Sequence, residues 1–372
     1  MTITNEILLE RIDQFLLDIT VADTVTLVHD TDPDGICSSA IIARCIERIR
    51  SKKIDLAIPL DKTTHSVTPE TIKKIKAAKT TILITCDFSF EEQPDVIKDL
   101  EKTCKILIID HHKLCGDVTS DQTILYKPHL FCDIDPARYC TGKLAYDAAA
   151  RVVDIEDLDW MAAAACIADI ATAPWEGWLK HVFSKYGITP KSLNSTDLFN
   201  TPIGDVSKTV SSTEVFDRKL VPGMLTTFLS AKTYEDITSS KYGKYKKIID
   251  GEIKKHIAAF DKKAEKHGKM PLYIYEMTSK YHVHSPISTI LGLKYPNRTI
   301  IIINKTRDPI SVSARRSDKK YPVNELLSQA VNGFEKSNAG GHAPAAGAGF
   351  PKKHLKEFKE RLITLSKKAV GG

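Results

Sequence analysis

The chain has 372 residues, 42% hydrophobic and 27% charged, ordinary for a soluble globular protein and more than one compact core usually holds. The longest apolar runs, such as Ala162 to Ala168 and Thr299 to Asn304, fall far short of the ~20 residues of a membrane helix, so no membrane span is expected. The net charge of +6 is unevenly placed: residues 1–178 hold 19 Lys and Arg against 30 Asp and Glu, and the remainder holds 34 against 17. An acidic part joined to a basic part suits a carboxylate cation site beside a surface for a polyanion. A solvated Lys-rich helix face (Lys246, Lys247, Lys254, Lys255) is the competing explanation for part of the excess.

The N-terminus carries Glu6, Glu10 and Asp13 among apolar residues, so it reads as an amphipathic helix and not as a secretory signal. A cytoplasmic location is expected. Strands are expected at Thr24 to His29, Ile54 to Ile58, Thr80 to Cys86 and Lys105 to Ile109, with helices at Cys37 to Arg50 and near Gln93 to Lys102. This alternation, with strands apolar on both faces, predicts a doubly wound, mainly parallel sheet in an α/β domain. Helices follow at Thr141 to Val153 and Asp157 to Ala171. Residues 189–222 are rich in Ser, Thr, Pro and Gly, and a Lys/Glu-bearing helical stretch runs from about Val221 or Thr226 to Lys266. Strands return at Leu272 to Met277, Thr299 to Asn304 and Pro309 to Ala314, then a Gly/Ala-rich turn at Asn338 to Phe350 and a basic helix from Lys353 to Lys368. The expected organisation is a catalytic domain over 1–178, a helical connector over 179–268 and a smaller α/β domain over 269–372. All eight cysteines lie in the first half and none forms a C-x-x-C pair, which argues against zinc ribbons and redox motifs and for a reducing compartment.

Chemistry concentrates at the strand ends. The first strand runs into Asp30-Thr31-Asp32-Pro33-Asp34-Gly35, the third ends at Asp87, and the fourth at Asp110-His111-His112. Three carboxylates within five residues repel one another unless a cation neutralises them. A D-P-D-G turn or helix cap accounts for the first motif alone. Three strands ending in acids at one sheet edge point to a shared cation site. Carboxylates with one or two imidazoles favour Mn²⁺ or Mg²⁺, with zinc or iron as alternatives.

These residues resemble the DHH phosphoesterase superfamily, whose name-giving triplet is Asp110-His111-His112 here. Its first motif is matched by Asp30 to Gly35, in the D-x-D-x-D-G form of RecJ-like exonucleases. The second is matched by Asp87, and the fourth by Asp169 within an apolar helical stretch. The string Asn338-Ala339-Gly340-Gly341-His342-Ala343-Pro344-Ala345-Ala346-Gly347 resembles the signature of a DHHA1 domain. The resemblance implies that Asp32, Asp34, Asp87, His111 and Asp169 bind two divalent ions, Mn²⁺ first and Mg²⁺ as the alternative, with Asp87 bridging. It implies attack on phosphorus by a hydroxide activated between the metals. His112 would act at the scissile phosphate, and Asp30 would orient a ligand or a water. Arg315, Gly340, Gly341 and His342 would bind substrate phosphate, with Arg316 either a helper or a solvated neighbour. His29 is expected either to pack or to stand behind the ligands, and Ser285 to cap a helix.

The implied activity is a manganese-type phosphoesterase acting on single-stranded DNA or RNA or on short oligonucleotides, RecJ-like or nanoRNase-like. A phosphodiesterase or phosphatase for small nucleotides is the alternative, and an inactive nucleic-acid-binding scaffold the remote one. A homodimer, or a replication or repair partner, stays open.

Overall fold

Five short apolar segments build the sheet around which the first part of the chain is arranged: β1 (Val25–His29), β2 (Leu56–Pro59), β3 (Ile82–Cys86), β4 (Lys105–Ile109) and β5 (Thr123–Tyr126). A computed structural model describes residues 2–371, apart from 62, 63, 65, 269 and 319, and only the backbone of 368–371. Lys269 and Gly372, the ends of the expected third segment, lie outside the described residues. The strand order is β2-β1-β3-β4-β5, and every neighbouring pair is parallel.

Burial on both faces explains the Ile, Leu and Val content. Leu27, Ile84, Leu107 and Ile109 face one core, while Val28, Leu83, Ile106 and Ile108 face another. The flanking helices are α1 (Glu6–Leu17), α2 (Pro33–Arg50), α3 (Pro69–Ala77), α4 (Pro94–Leu100), α5 (Thr141–Ala150) and α6 (Asp159–Ala168). Buried residues of α1, α2, α5 and α6 fill the first core, and those of α3 and α4 the second. The chain leaves β1 towards β2 on one side and returns to β3 on the other. Loops diverge at that reversal, beyond the C-terminal strand ends, where open parallel sheets place their ligand sites. β5 (TILY) was not expected. Helix α2 starts at Pro33 and not at Cys37: the Asp32 side chain accepts from the Gly35 N–H at 2.9 Å, and Pro33 takes the first helical position.

The segment expected to be a connector is largely helical: α7 (Glu176–Lys185), α8 (Ser195–Phe199), α9 (Pro202–Phe216), α10 (Pro222–Ser230), α11 (Tyr234–Thr238) and α12 (Gly243–Lys263). The single long helical stretch expected from about residue 221 to 266 is broken into three, one break being the Asp236–Thr233 capping box that starts α11. Ile203, Val206, Val210, Phe228 and Tyr242 are buried in the first core, and Phe228 stacks on Trp160 with ring centroids 6.1 Å apart. The chain divides into two compact units, Met1–Lys246 and Lys247–Gly372.

The second unit holds a six-stranded sheet of β6 (Glu265–His267), β7 (Leu272–Met277), β8 (Thr299–Asn304), β9 (Ile310–Arg315), β10 (Asn338–His342) and β11 (Ala345–Phe350). Its order is β10-β11-β9-β8-β7-β6, and only β7 and β8 run parallel. Helices α13 (His284–Lys294), α14 (Val323–Val331) and α15 (Leu355–Gly371) complete it. The Gly/Ala string expected as a turn is the β10–β11 hairpin. No helix among the described residues is long and apolar enough to cross a membrane. Cys115 is exposed and Cys132 half-buried; the other cysteines are buried, and all eight are free thiols.

Because α9 to α11 complete the first core, a fragment ending at residue 178 would bare the Trp160 face of α6. Such a fragment is expected to aggregate, whereas residues 1–246 give a cooperative thermal transition by circular dichroism.

Candidate metal centre

The acids at the sheet reversal converge. Asp87, His111 and His112 form one group in which single ligand atoms lie within 4.8 Å of one another. Asp34, His111 and Asp169 form a second, and Asp30, Asp32 and Asp87 a third. Asp87 and His111 are each shared between two groups. His111 Nε2 lies 3.2 Å from Asp169, 3.8 Å from Asp87 and 3.9 Å from Asp34. The structure thus brings together Asp30, Asp32, Asp34, Asp87, His111, His112 and Asp169, with Asp30 in the group it forms with Asp32 and Asp87. Asp169 does not interrupt a helix, as its apolar surroundings suggested, but is the C-cap of α6.

Two residues that sequence reasoning passed over hold the buried acids. Asp34 sits against the N-terminus of α5, where its oxygens accept the Thr141 and Gly142 N–H groups, each at 2.7 Å. Those amides would otherwise lack partners, and the helix dipole favours negative charge there. A Cβ on Gly142 would meet Ala165 Cβ at 2.5 Å and Asp34 Oδ1 at 3.0 Å, so only glycine admits this approach. The Thr141 hydroxyl donates to Asp87 Oδ1 at 2.9 Å. The Thr-Gly pair opening a helix was the available signal, since such a terminus binds anions.

Burial, and then mutual repulsion, govern the electrostatics. Burial and the neighbouring Asp34 and Asp32 push the Asp87 and Asp169 carboxyls well above the usual range. Asp34 is raised too, by burial and by Asp32, against the pull of His111. A set of carboxylates that resist ionisation together, with one imidazole inside it, matches the donors that hard divalent ions require. His29 is fully buried, its ring on the Asp30 carbonyl at 2.6 Å, and burial lowers it to about 4.

Asp110 behaves differently from the other acids. It is fully buried, which opposes ionisation, yet bonds and charges from His112 and Lys127 hold it well below the usual range. His112 Nδ1 donates to Asp110 Oδ1 at 2.7 Å, and that bond raises the imidazole above its ordinary value. The Lys127 ammonium, without exposure, lies 2.8 Å from Asp110 Oδ2, pairs with buried Glu91, and donates to the His112 and Lys113 carbonyls at 3.2 and 3.1 Å. The sequence carried no signal for Lys127 or Glu91, because the pair forms only in three dimensions.

In the second unit, Ala345 pairs with His342 on one side and Arg315 on the other, so His342 and Arg315 stand in one row across β10, β11 and β9. Directly opposed residues share a sheet face, so the two are about 10 Å apart with a methyl between them. Arg315 Nε donates to Thr289 Oγ1 at 3.0 Å. Gly341 has φ 128°, and a Cβ there would stand 2.5 Å from the Ala345 carbonyl, so the hairpin requires glycine at that point. Gly340 and His342 are exposed. Arg316 is not a solvated neighbour: it is buried, forked onto Asp318 at 2.6 and 2.9 Å, and stacked on Tyr321. Helix α13 begins at His284 without a side-chain cap, so Ser285 does not have the capping role expected of it.

An acidic cluster at the reversal of a parallel sheet, in a chain with a second α/β unit, fits the fold of a metal-dependent phosphoesterase. The profile of the DHH family, N-terminal domain, matches residues 24–177 and that of the DHHA1 domain residues 283–368, together more than half of the chain. The chain belongs to the DHH/DHHA1 family of phosphoesterases. Among solved structures it is similar to RecJ from Thermus thermophilus in complex with Mn²⁺, with a TM-score of 0.65 at 13% identity. The match covers 99% of this chain and 55% of the other, so the chain spans about half the length of that RecJ. A second RecJ exonuclease bound to manganese matches with TM-score 0.68, 14% identity and coverage of 99% and 95%. The pGpG-specific phosphodiesterase PggH from Vibrio cholerae matches with TM-score 0.54, 13% identity and coverage of 93% and 99%. No curated protein matches the sequence.

Asp34, Asp87 and Asp169 hold their protons more tightly folded than unfolded. Their contribution to stability is therefore complete below the ordinary carboxylate range and is lost as pH rises through the elevated folded values. The metal-stripped protein should melt at lower temperature as pH rises, and Mn²⁺ at a hundredfold excess over Kd should restore about 2.7 kcal/mol. Asp87→Asn should raise the metal-free melting temperature and lose most of that gain. Separately, Lys127→Met strands two buried carboxylates and should cost about 3–5 kcal/mol by urea unfolding, partly recovered by adding Glu91→Gln.

Proposed function

We propose that this chain is a phosphodiesterase using two divalent metal ions, Mn²⁺ in preference to Mg²⁺, that degrades single-stranded nucleic acid or short oligonucleotides to mononucleotides. The observation that carries the reading is the sharing of the Asp87 carboxylate between two of the three ligand groups, as expected of a group whose two oxygens would serve neighbouring ions. Asp32, Asp34, Asp87, His111 and Asp169 would hold the ions, with Asp30 beside them. Two ions bound there supply Lewis acidity, charge neutralisation and an activated water.

The remaining work falls to the protein. Thr141 and the amides of Thr141 and Gly142 fix Asp87 and Asp34. His112 is half exposed, and its Nδ1 is engaged by Asp110, so Nε2 is the nitrogen left for substrate. A charged imidazole there can donate to a phosphate oxygen or protonate the leaving oxygen. In the second unit, Arg315 and His342 would grip further phosphates of the chain, with Gly340 and Gly341 admitting a backbone approach. The basic excess of the later residues supports a polyanionic substrate. The RecJ structures lend the long-substrate reading support, and the similarity to PggH favours dinucleotides as the second reading.

Labelled single-stranded oligonucleotides of graded length, DNA and RNA, incubated with Mn²⁺, should be shortened stepwise to mononucleotides while a duplex is spared. A protein active on pGpG alone would replace this reading with the second. Asp87→Ala should reduce turnover by several orders of magnitude, and near-normal activity in that variant would remove the metal-centred mechanism.

A further inference from the structure

Helix α6 ends in a cap of unusual composition. Asp169 is the C-cap, and the next residue, Ile170, lies in the left-handed region at φ 57°. The Ile170 N–H donates to the Ile167 carbonyl at 3.2 Å and the Ala171 N–H to the Cys166 carbonyl at 2.9 Å, the paired bonds of a Schellman motif. That motif wants glycine, or asparagine, at the left-handed position. A β-branched side chain is the least tolerated there.

The need to reverse the chain explains the backbone but not the isoleucine. Packing does not explain it either. Ile170 is 56% exposed, whereas Ile167 and Ala171 are fully buried. Ala173 and Pro174, in the short 3-10 helix Ala173–Trp175 that follows, are exposed as well. The Asp169 carboxylate is 3.2 Å from His111 Nε2. A left-handed, solvent-facing apolar residue therefore adjoins the candidate ligand Asp169, and residues held in such conformations cluster at functional sites.

We propose that Ile170 is a specificity-determining contact that packs against the nucleobase of the nucleotide whose phosphate lies at the carboxylates. The inference rests on the nuclease reading above. An apolar group gains nothing from a phosphate, whereas the faces of a base are the apolar part of a nucleotide and are common to every sequence. Ile170 would then read the presence of a base.

The test compares wild type, Ile170→Val, Ile170→Ala and Ile170→Gly with Mn²⁺ on a single-stranded oligonucleotide and on the same oligonucleotide carrying abasic residues at both ends. On the intact oligonucleotide, Ile170→Ala and Ile170→Gly should raise KM about tenfold, the low end for losing an apolar contact to substrate, while Ile170→Val stays near wild type. Wild type should show the same rise on the abasic substrate, and the Ala and Gly variants no further loss. Ile170→Gly alone should raise the melting temperature, by about 2–4 °C, because it relieves the left-handed strain. Wild-type KM in the Gly and Ala variants, or equal KM of wild type on both substrates, overturns the proposal. A wild type inert on the intact oligonucleotide but active on bis(p-nitrophenyl) phosphate would instead overturn the nuclease reading, and this proposal with it.

Discussion

Repulsion among buried carboxylates organises the first unit. Asp34 and Asp87 are almost without exposure, Asp169 is mostly covered, and all three resist ionisation, first because of burial and then because of neighbouring carboxylates, Asp32 among them. A parallel sheet brings them together because its strands all end on the same edge, and the order reversal opens a crevice there. What offsets the repulsion within the chain is partial: the N-terminus of α5 for Asp34 and the Thr141 hydroxyl for Asp87. The balance calls for cations, so the same arrangement that burdens the metal-free protein equips it for its chemistry.

The triplet at the end of β4 divides three jobs among three consecutive residues. Asp110 is turned into the protein and neutralised by Lys127 and His112. His111 points into the carboxylates, and His112 stays half exposed at the edge of the site. The buried Lys127–Glu91 pair also binds the carbonyls of His112 and Lys113, so it fixes the backbone from which both imidazoles project.

Much of this was legible in the sequence, and the exceptions share a cause. Near-continuous apolar runs revealed four strands of the first sheet, and acids at three of their ends located the centre. The hairpin carrying Gly340, Gly341 and His342 read as a turn, since glycine and alanine have little strand propensity. Its strand state comes from pairing with β9 in the register His342–Ala345–Arg315. The helices between 179 and 246 looked like a linker because their apolar positions are interleaved with Ser and Thr, yet Ser207 and Thr213 are buried and hydrogen-bonded to backbone carbonyls of Ala164 and Thr209. Thr141, Gly142, Lys127 and Glu91 depend on contacts between distant segments, which no local pattern reports.

The chemistry of the first unit depends on what the carboxylate cluster holds. Anomalous diffraction from crystals grown with Mn²⁺, recorded at the manganese edge, tests it directly. Two adjacent peaks bounded by Asp32, Asp34, Asp87, His111 and Asp169 are the predicted result. A cluster that binds one ion or none at saturating Mn²⁺ would contradict it.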